Sequence, residues 1–354
     1  MDVALIGLAA SGKTTLLKAL AAGHLPQHAS PNEPAVAVVK VPDDRLDRLA
    51  ALVQARKTTH LELRLLDFPS LSVGRKGPPA QLLGVLSTAD LIVHVVRAYG
   101  ESDVDPGRDV AALDLELALA DLGIAERRIE RLTIESRSLP PGARGAQERE
   151  LALLRRLKAA LEAEKPVRSL SLSADDRALL AGFNLITAKP MLIVLNVAEA
   201  ETARAETIEA EAQSRYGGPA TSVVALAAKA EADVAELPAD EAAEFRRELG
   251  LPETPAAARL LQEAVSLLGL ITFYTVAPQD THAWSLPAGT PAVKAAGRVH
   301  SDIERGFIRA EVIGWQELLD AGSHAEAKRR GTQRLEGKTY EVQDGDVINV
   351  LFSV

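Results

Sequence analysis

Short, unbroken apolar runs separated by stretches of helical period dominate the chain up to about residue 230. Val3–Ile6, Val36–Val41, Leu61–Leu66, Leu91–Val96, Met191–Leu195 and Ser222–Ala225 read as strands. Several lack any polar alternation, as expected of strands covered on both faces by helices, so the pattern predicts an α/β domain with a largely parallel sheet. Between Asp109 and Lys165 the period changes. Leu113, Leu117, Ala120 and Ile124 recur at helical spacing, Leu139-Pro-Pro-Gly-Ala-Arg-Gly145 interrupts, and Leu151, Leu154, Leu157 and Leu161 resume the stripe. That predicts two antiparallel helices projecting from the sheet domain, their charges forming a solvated face or, alternatively, a docking arm. From Ile271 onward, strands at Ile271–Val276 and Val347–Phe352 flank turn signals at Pro287-Ala-Gly289 and Gln343-Asp-Gly-Asp346, which suggests a small α+β domain. The resulting division is a sheet domain at 1–108 and 167–268, an inserted hairpin at 109–166, and a C-terminal domain at 269–354.

Composition narrows the chemistry. The chain has 354 residues and no cysteine, which excludes disulfides, thiolate catalysis and cysteine-based metal clusters. No apolar run approaches the ~18 residues needed to span a bilayer, and the first apolar run leads into a glycine-rich loop rather than a cleavage site. A cytoplasmic protein with no membrane partner is expected. A net charge of −9 argues against DNA as a partner and against wholesale coating of nucleic acid.

Gly7-Leu-Ala-Ala-Ser-Gly-Lys-Thr14 fits G-x-x-x-x-G-K-[ST], with a strand before it and a helical segment after it. In such a loop the backbone N–H groups of Ala9, Ala10, Ser11, Gly12 and Thr15 wrap phosphate at the mouth of a helix. Lys13 is the candidate catalytic residue, neutralising the β- and γ-phosphates, and the Thr14 hydroxyl is a candidate Mg²⁺ ligand. Asp67, closing the strand Leu61–Leu66, is the second candidate metal residue. Asn196-Val197-Ala198-Glu199 follows a buried strand where guanine-specific relatives of the Ras class carry Asn-Lys-x-Asp. Val197 and the longer Glu199 disturb that fit and make adenine credible. Ala227 and Ala228, with Lys229, stand where a Ser-Ala-Lys loop approaches a base.

With these pieces in order, the chain resembles the YchF subfamily of Obg-related P-loop NTPases over nearly its whole length. The resemblance extends to Val41-Pro-Asp-Asp-Arg-Leu-Asp47, His94-Val-Val-Arg97 and Glu116-Leu-Ala-Leu-Ala-Asp-Leu122. Further on come Lys189-Pro190, Glu231-Ala-Asp233, Ala295-Ala-Gly-Arg-Val-His-Ser-Asp302, Gly306-Phe-Ile-Arg-Ala-Glu311 and Leu335-Glu-Gly-Lys338. The resemblance implies a P-loop G domain, an inserted helical hairpin and a C-terminal TGS domain of ubiquitin-like β-grasp fold. It also implies Mg²⁺ with ATP or ADP, GTP or GDP less so, and contact with ribosomes or ribonucleoprotein.

The departures from the family pattern fall around the γ-phosphate. The family's Asp-Ile-Ala-Gly is Asp67-Phe-Pro-Ser70 here, and its switch threonine falls on Pro31, with Ser30 as a possible substitute. Tyr99–Asp105 has no counterpart of the family's histidine loop, and His94 reads as a core residue. Two readings stay open: a slow ATPase, with some GTPase activity, that depends on a partner for acceleration, or a nucleotide-dependent binding module with little hydrolysis. For ribosome contact, Lys328-Arg-Arg330 with Arg334 forms a local basic cluster, although the segment from Ile271 holds nine Lys/Arg against eleven Asp/Glu.

Overall fold

The computed structural model describes residues 1–21, 33–71, 74, 78–100, 104–137 and 145–353. Pro31 and Ser30 lie outside them. The chain opens with β1 (Asp2–Ile6), α1 (Lys13–Leu20), β2 (Ala35–Lys40), α2 (Asp44–Leu52), β3 (Thr58–Thr59), β4 (Glu62–Asp67), α3 (Ala80–Leu86) and β5 (Leu91–Ala98). The hairpin helices α4 (Pro106–Arg137) and α5 (Gly145–Glu162) follow, then α6 (Ala174–Leu180), β6 (Met191–Val197), α7 (Ala205–Tyr216) and β7 (Thr221–Leu226). Next come α8 (Ala228–Ala235), α9 (Ala239–Glu248), α10 (Ala256–Leu267), β8 (Leu270–Val276) and β9 (Thr281–Pro287). The chain ends with α11 (Ala292–Val299), α12 (Ser301–Arg305), β10 (Phe307–Gly314), α13 (Trp315–Ala321), α14 (His324–Arg330), β11 (Arg334–Glu336) and β12 (Asp346–Phe352).

Two compact units result, Met1–Val39 with Arg64–Leu260, and Lys40–Leu63 with Leu261–Val354. The first is built on a sheet of order β2-β4-β1-β5-β6-β7. Its β4-β1-β5-β6-β7 pairings are all parallel. All seven residues of β6 are buried, which is why the run Met191–Leu195 shows no alternation. The hairpin reads two faces of α4. Leu113 and Leu117 join the sheet core, while Ala118, Ala125 and Leu132 pack with Leu153, Leu154, Leu157 and Leu161. Buried Asp121 on α4 accepts hydrogen bonds from the Ile186 and Thr187 N–H groups and the Thr187 hydroxyl, fixing the return segment beside α4.

The second unit carries a sheet of order β11-β10-β12-β8-β9-β3. Sequence patterning assigns 40–63 to the nucleotide-binding part. In the structure that segment folds with the C-terminal unit, because Leu46 and Leu49 of α2 sit in one apolar cluster with Tyr274, Ala283, Ile313, Leu318 and Val347. Arg45 reinforces the arrangement by pairing with Asp43 and Asp344, and the Tyr274 hydroxyl donates to Asp43 at 2.6 Å. The basic cluster of the same unit is internally compensated. Lys328 approaches Glu311, Arg329 and Arg330 pair with Glu326, and Arg334 lies near Glu336 and Asp346. Among the described residues no helix is long and apolar enough to cross a membrane.

Candidate functional site

The loop between β1 and α1 has the backbone its sequence requires. Gly12 is left-handed at φ 90°, and a Cβ there would stand 2.1 Å from the Asn196 amide nitrogen. At Gly7 a Cβ would meet the Val95 carbonyl at 2.4 Å. Glycine is therefore required at both ends of the loop, at one for close approach alone and at the other for close approach and φ. Ala9 and Ala10 sit exposed at its crest, Ala10 with φ 59°. Thr14 is exposed on the first turn of α1, Thr15 is half-buried, and Ser11 is buried.

Lys13 is 7% exposed. Its ammonium donates to the Gly7 carbonyl at 3.3 Å and to the Ser70 hydroxyl at 3.1 Å. Burial lowers its pKa, and the nearby Asp67 carboxylate opposes that shift. Asp67 pairs across the sheet with Leu5, the strand register that sets a carboxylate beside the loop. Hydroxyl and carboxylate oxygens are the donors Mg²⁺ takes, and phosphate and water complete its shell where a protein provides no cage of its own. Thr14 and Asp67 carry oxygens of that kind, a hydroxyl exposed on the first turn of α1 and a carboxylate at the end of β4.

Asn196 ties the phosphate loop to the next strand-end loop. Only 5% exposed, it donates from Nδ2 to the Ser11 carbonyl at 3.0 Å and accepts from the Ala228 N–H at 3.0 Å. Its amide is a strut between the phosphate loop and the start of α8, where Ala227 and Ala228 are buried. The Val197 side chain packs in the sheet core rather than at the site mouth. Glu199 is exposed and paired with Lys229 at 3.3 Å.

Two further residues meet the loop. The Tyr99 hydroxyl donates to the Ala10 carbonyl at 2.7 Å, and Ser70 holds Lys13. Beneath the loop lies a cavity of about 340 Å³ lined by Ala9, Ser11, Leu71, His94, Arg97 and Arg108. His94 is fully buried, and neither ring nitrogen has a partner among the described residues. Burial, assisted by the Arg168 and Lys13 charges, pushes its pKa down to about 4. Position relative to β1 was the available signal for Tyr99, since it follows the strand adjoining β1; for Ser70 only a departure from a glycine was visible.

A parallel sheet whose first strand runs into a glycine-wrapped lysine at a helix mouth defines a P-loop nucleotide-binding protein. Comparison with known proteins narrows the class. A family model, YchF-GTPase_C, described as "Protein of unknown function (DUF933)", matches residues 270–353. The "Ribosome-binding ATPase YchF" of Bacillus subtilis is 37% identical over 369 residues, covering 100% of both chains. The protein of the same name from Escherichia coli O157:H7 is 34% identical, covering 99% of this chain and 98% of its own. The fold matches the "Structure of the Schizosaccharomyces pombe YchF GTPase" with a TM-score of 0.87 at 24% identity, over 99% of this chain and 97% of that one. The chain belongs to the YchF family.

Proposed function

We propose that this protein is a Mg²⁺-dependent ATPase that works with ribosomes. The observation that carries the reading is Lys13, buried at the mouth of α1 between Gly7 and Asp67, in a chain collinear with relatives named ribosome-binding ATPases. Gly7, Ala9, Ala10, Ser11, Gly12 and Thr15 form the phosphate cradle, Lys13 meets the β- and γ-phosphates, and Thr14 and Asp67 hold Mg²⁺. Mg²⁺ held by Thr14 and Asp67 would supply positive charge against the phosphates. The first unit then serves as G domain with its hairpin arm, the C-terminal unit as a TGS domain, and the cytoplasm as the place of work.

ATP is favoured over GTP. Val197 has no polar group and is buried, and Glu199 is engaged by Lys229, so neither reproduces an aspartate reading the guanine edge. Asn196, Ala227 and Ala228 shape the base side through backbone and strut. Calorimetric titration with ATP, GTP, ADP and GDP tests this, and GTP binding tenfold tighter than ATP refutes it.

One observation favours a second reading, a nucleotide-dependent binding module with little hydrolysis. Ser70 stands at the switch position, after Pro69, and its hydroxyl engages Lys13; proline narrows the backbone rearrangement available there. Phosphate release measured against a Lys13→Ala control separates the two. Lys13-dependent turnover below about 1 s⁻¹, raised by added ribosomes, supports the ATPase; release equal to the control supports the binding module.

A further inference from the structure

The phosphate loop lies at the carboxyl ends of the parallel strands. At their amino ends, where Pro190 leads into β6 and Ala220 into β7, the first unit has a second, open cavity of about 370 Å³. Its other walls come from the turn after α5, from α6 and from the segment between α6 and β6. The lining includes three cations, Arg168, Arg177 and Lys189, and no carboxylate; the rest is mostly apolar, led by Leu170, Leu172 and Leu180.

The cations have donor capacity to spare, although Arg177 is exposed and Lys189 half-buried. Arg168 is 8% exposed. Its Nε donates to the Thr221 hydroxyl at 3.1 Å and its Nη2 to Asp114 at 3.1 Å, yet its Nη1 has no partner among the described residues. Arg177 spends one nitrogen on the Leu172 carbonyl at 2.8 Å. Lys189 forms no salt bridge among the described residues, and burial lowers its pKa against the longer-range pull of Asp90 and Asp121. Asp121 is itself occupied by the Ile186 and Thr187 N–H groups, so it does not enter the cavity as a counter-ion, but it does pin the segment that carries Lys189.

A buried guanidinium nitrogen without an acceptor is unfavourable. Asp114 compensates Arg168 from outside the cavity, while neither Arg177 nor Lys189 has a carboxylate partner in an ion pair among the described residues. Ligand sites share that make-up: predominantly apolar walls with a few convergent polar groups, in a volume of roughly 300 Å³ or more. We infer that this cavity binds a small organic anion. A carboxylate or phosphate-monoester head is received by Arg168, Arg177 and Lys189, and an aliphatic body lies along Leu170, Leu172 and Leu180. The site is separate from the phosphate loop, because β6 spans the sheet between Pro190 at one end and Asn196 at the other.

Titration calorimetry on the full-length protein, with ADP at saturation, tests the assignment using octanoate, octyl phosphate, octanol and octylammonium as probes. One of the two anions binds at a single site, and the tighter one identifies the head group. Octanol and octylammonium bind at least about tenfold more weakly than that anion. The double variant Arg177→Gln/Lys189→Gln, which leaves the packed Arg168 in place, melts as the parent does and loses about tenfold in affinity for the anion. The inference is overturned if neither anion binds, if octanol matches the anion, or if ADP displaces it. Unchanged affinity in a folded double variant overturns it equally. The probe comparison needs no variant, so it decides the matter even if the double variant does not fold.

Discussion

Asn196→Ala tests whether the amide strut, rather than the loop sequence alone, holds the phosphate cradle. The substitution removes two hydrogen bonds of 3.0 Å at a position 5% exposed. It leaves the Ser11 carbonyl and the Ala228 N–H facing a void. Two net hydrogen bonds at about 1 kcal/mol each, plus partial desolvation of the orphaned groups, give a loss of about 2–4 kcal/mol. For a folding unit of this size that is a fall in Tm of about 5–12 °C. Because the strut positions Ser11 and, through the space Gly12 leaves, the turn into α1, ATP affinity falls by about tenfold or more. Asn196→Asp keeps an acceptor for Ala228 but turns an oxygen toward the Ser11 carbonyl, so it does no better than alanine. Differential scanning calorimetry and ATP titration measure both effects. A Tm within about 1 °C of the parent together with unchanged ATP affinity refutes the reasoning.

Ser70→Ala removes the hydroxyl that engages Lys13; ATP affinity rises by about two- to tenfold, read by calorimetry, and a fall instead means that Ser70 itself contacts phosphate. Glu231→Gln breaks a buried pair in which Arg246 donates twice, at 3.1 and 2.9 Å, and costs about 3–5 kcal/mol in urea unfolding; a loss under 1 kcal/mol contradicts the assignment. His94 stays neutral when folded, at a pKa of about 4, while in the unfolded chain it takes up a proton below about pH 6.5. Stability is therefore lost as pH falls from about 6.5 to 4, with His94 contributing up to about 3 kcal/mol. Unfolding titrations show a shallower loss for His94→Leu, and an unchanged slope refutes the role.

How much was readable in the sequence depended on how local the cause was. The six apolar runs all became strands of one sheet; burial on both faces writes itself into continuous runs such as Met191–Val197, while β2, buried on one face only, is apolar on both. The phosphate loop was equally legible, since its glycines answer to contacts with the Val95 carbonyl and the Asn196 amide. Placement of α2 was not, because its partners Tyr274 and Ile313 lie more than two hundred residues away and amphipathicity does not name a partner. In the C-terminal unit β9, β10 and β11 went unread. Bulged or short strands such as Phe307–Gly314 and Arg334–Glu336 break the alternation by which strands are found. The position of Asn196 was legible from the strand it ends, but its hydrogen bonds to Ser11 and Ala228 were not, since both partners are far away in sequence.

The substitution at the switch is more than the erosion of a glycine. Serine keeps the backbone N–H that glycine would offer, and it adds a hydroxyl within reach of the one lysine that the phosphate chemistry needs. A nucleotide must exchange two neutral acceptors, the Gly7 carbonyl and the Ser70 hydroxyl, for charged phosphate oxygens, and charge-assisted bonds are about twice as strong as neutral ones. The exchange is therefore favourable, and Ser70 lowers affinity without abolishing it. On the proposed ATPase reading, turnover answers to a different property of the same segment, the backbone freedom that Pro69 restricts. Alanine at position 70 releases only the lysine, because Pro69 stays in place; releasing the backbone takes a substitution at position 69. The grip on phosphate and the step that follows it are thus governed by separable features of two adjacent residues, one through its hydroxyl and the other through its ring.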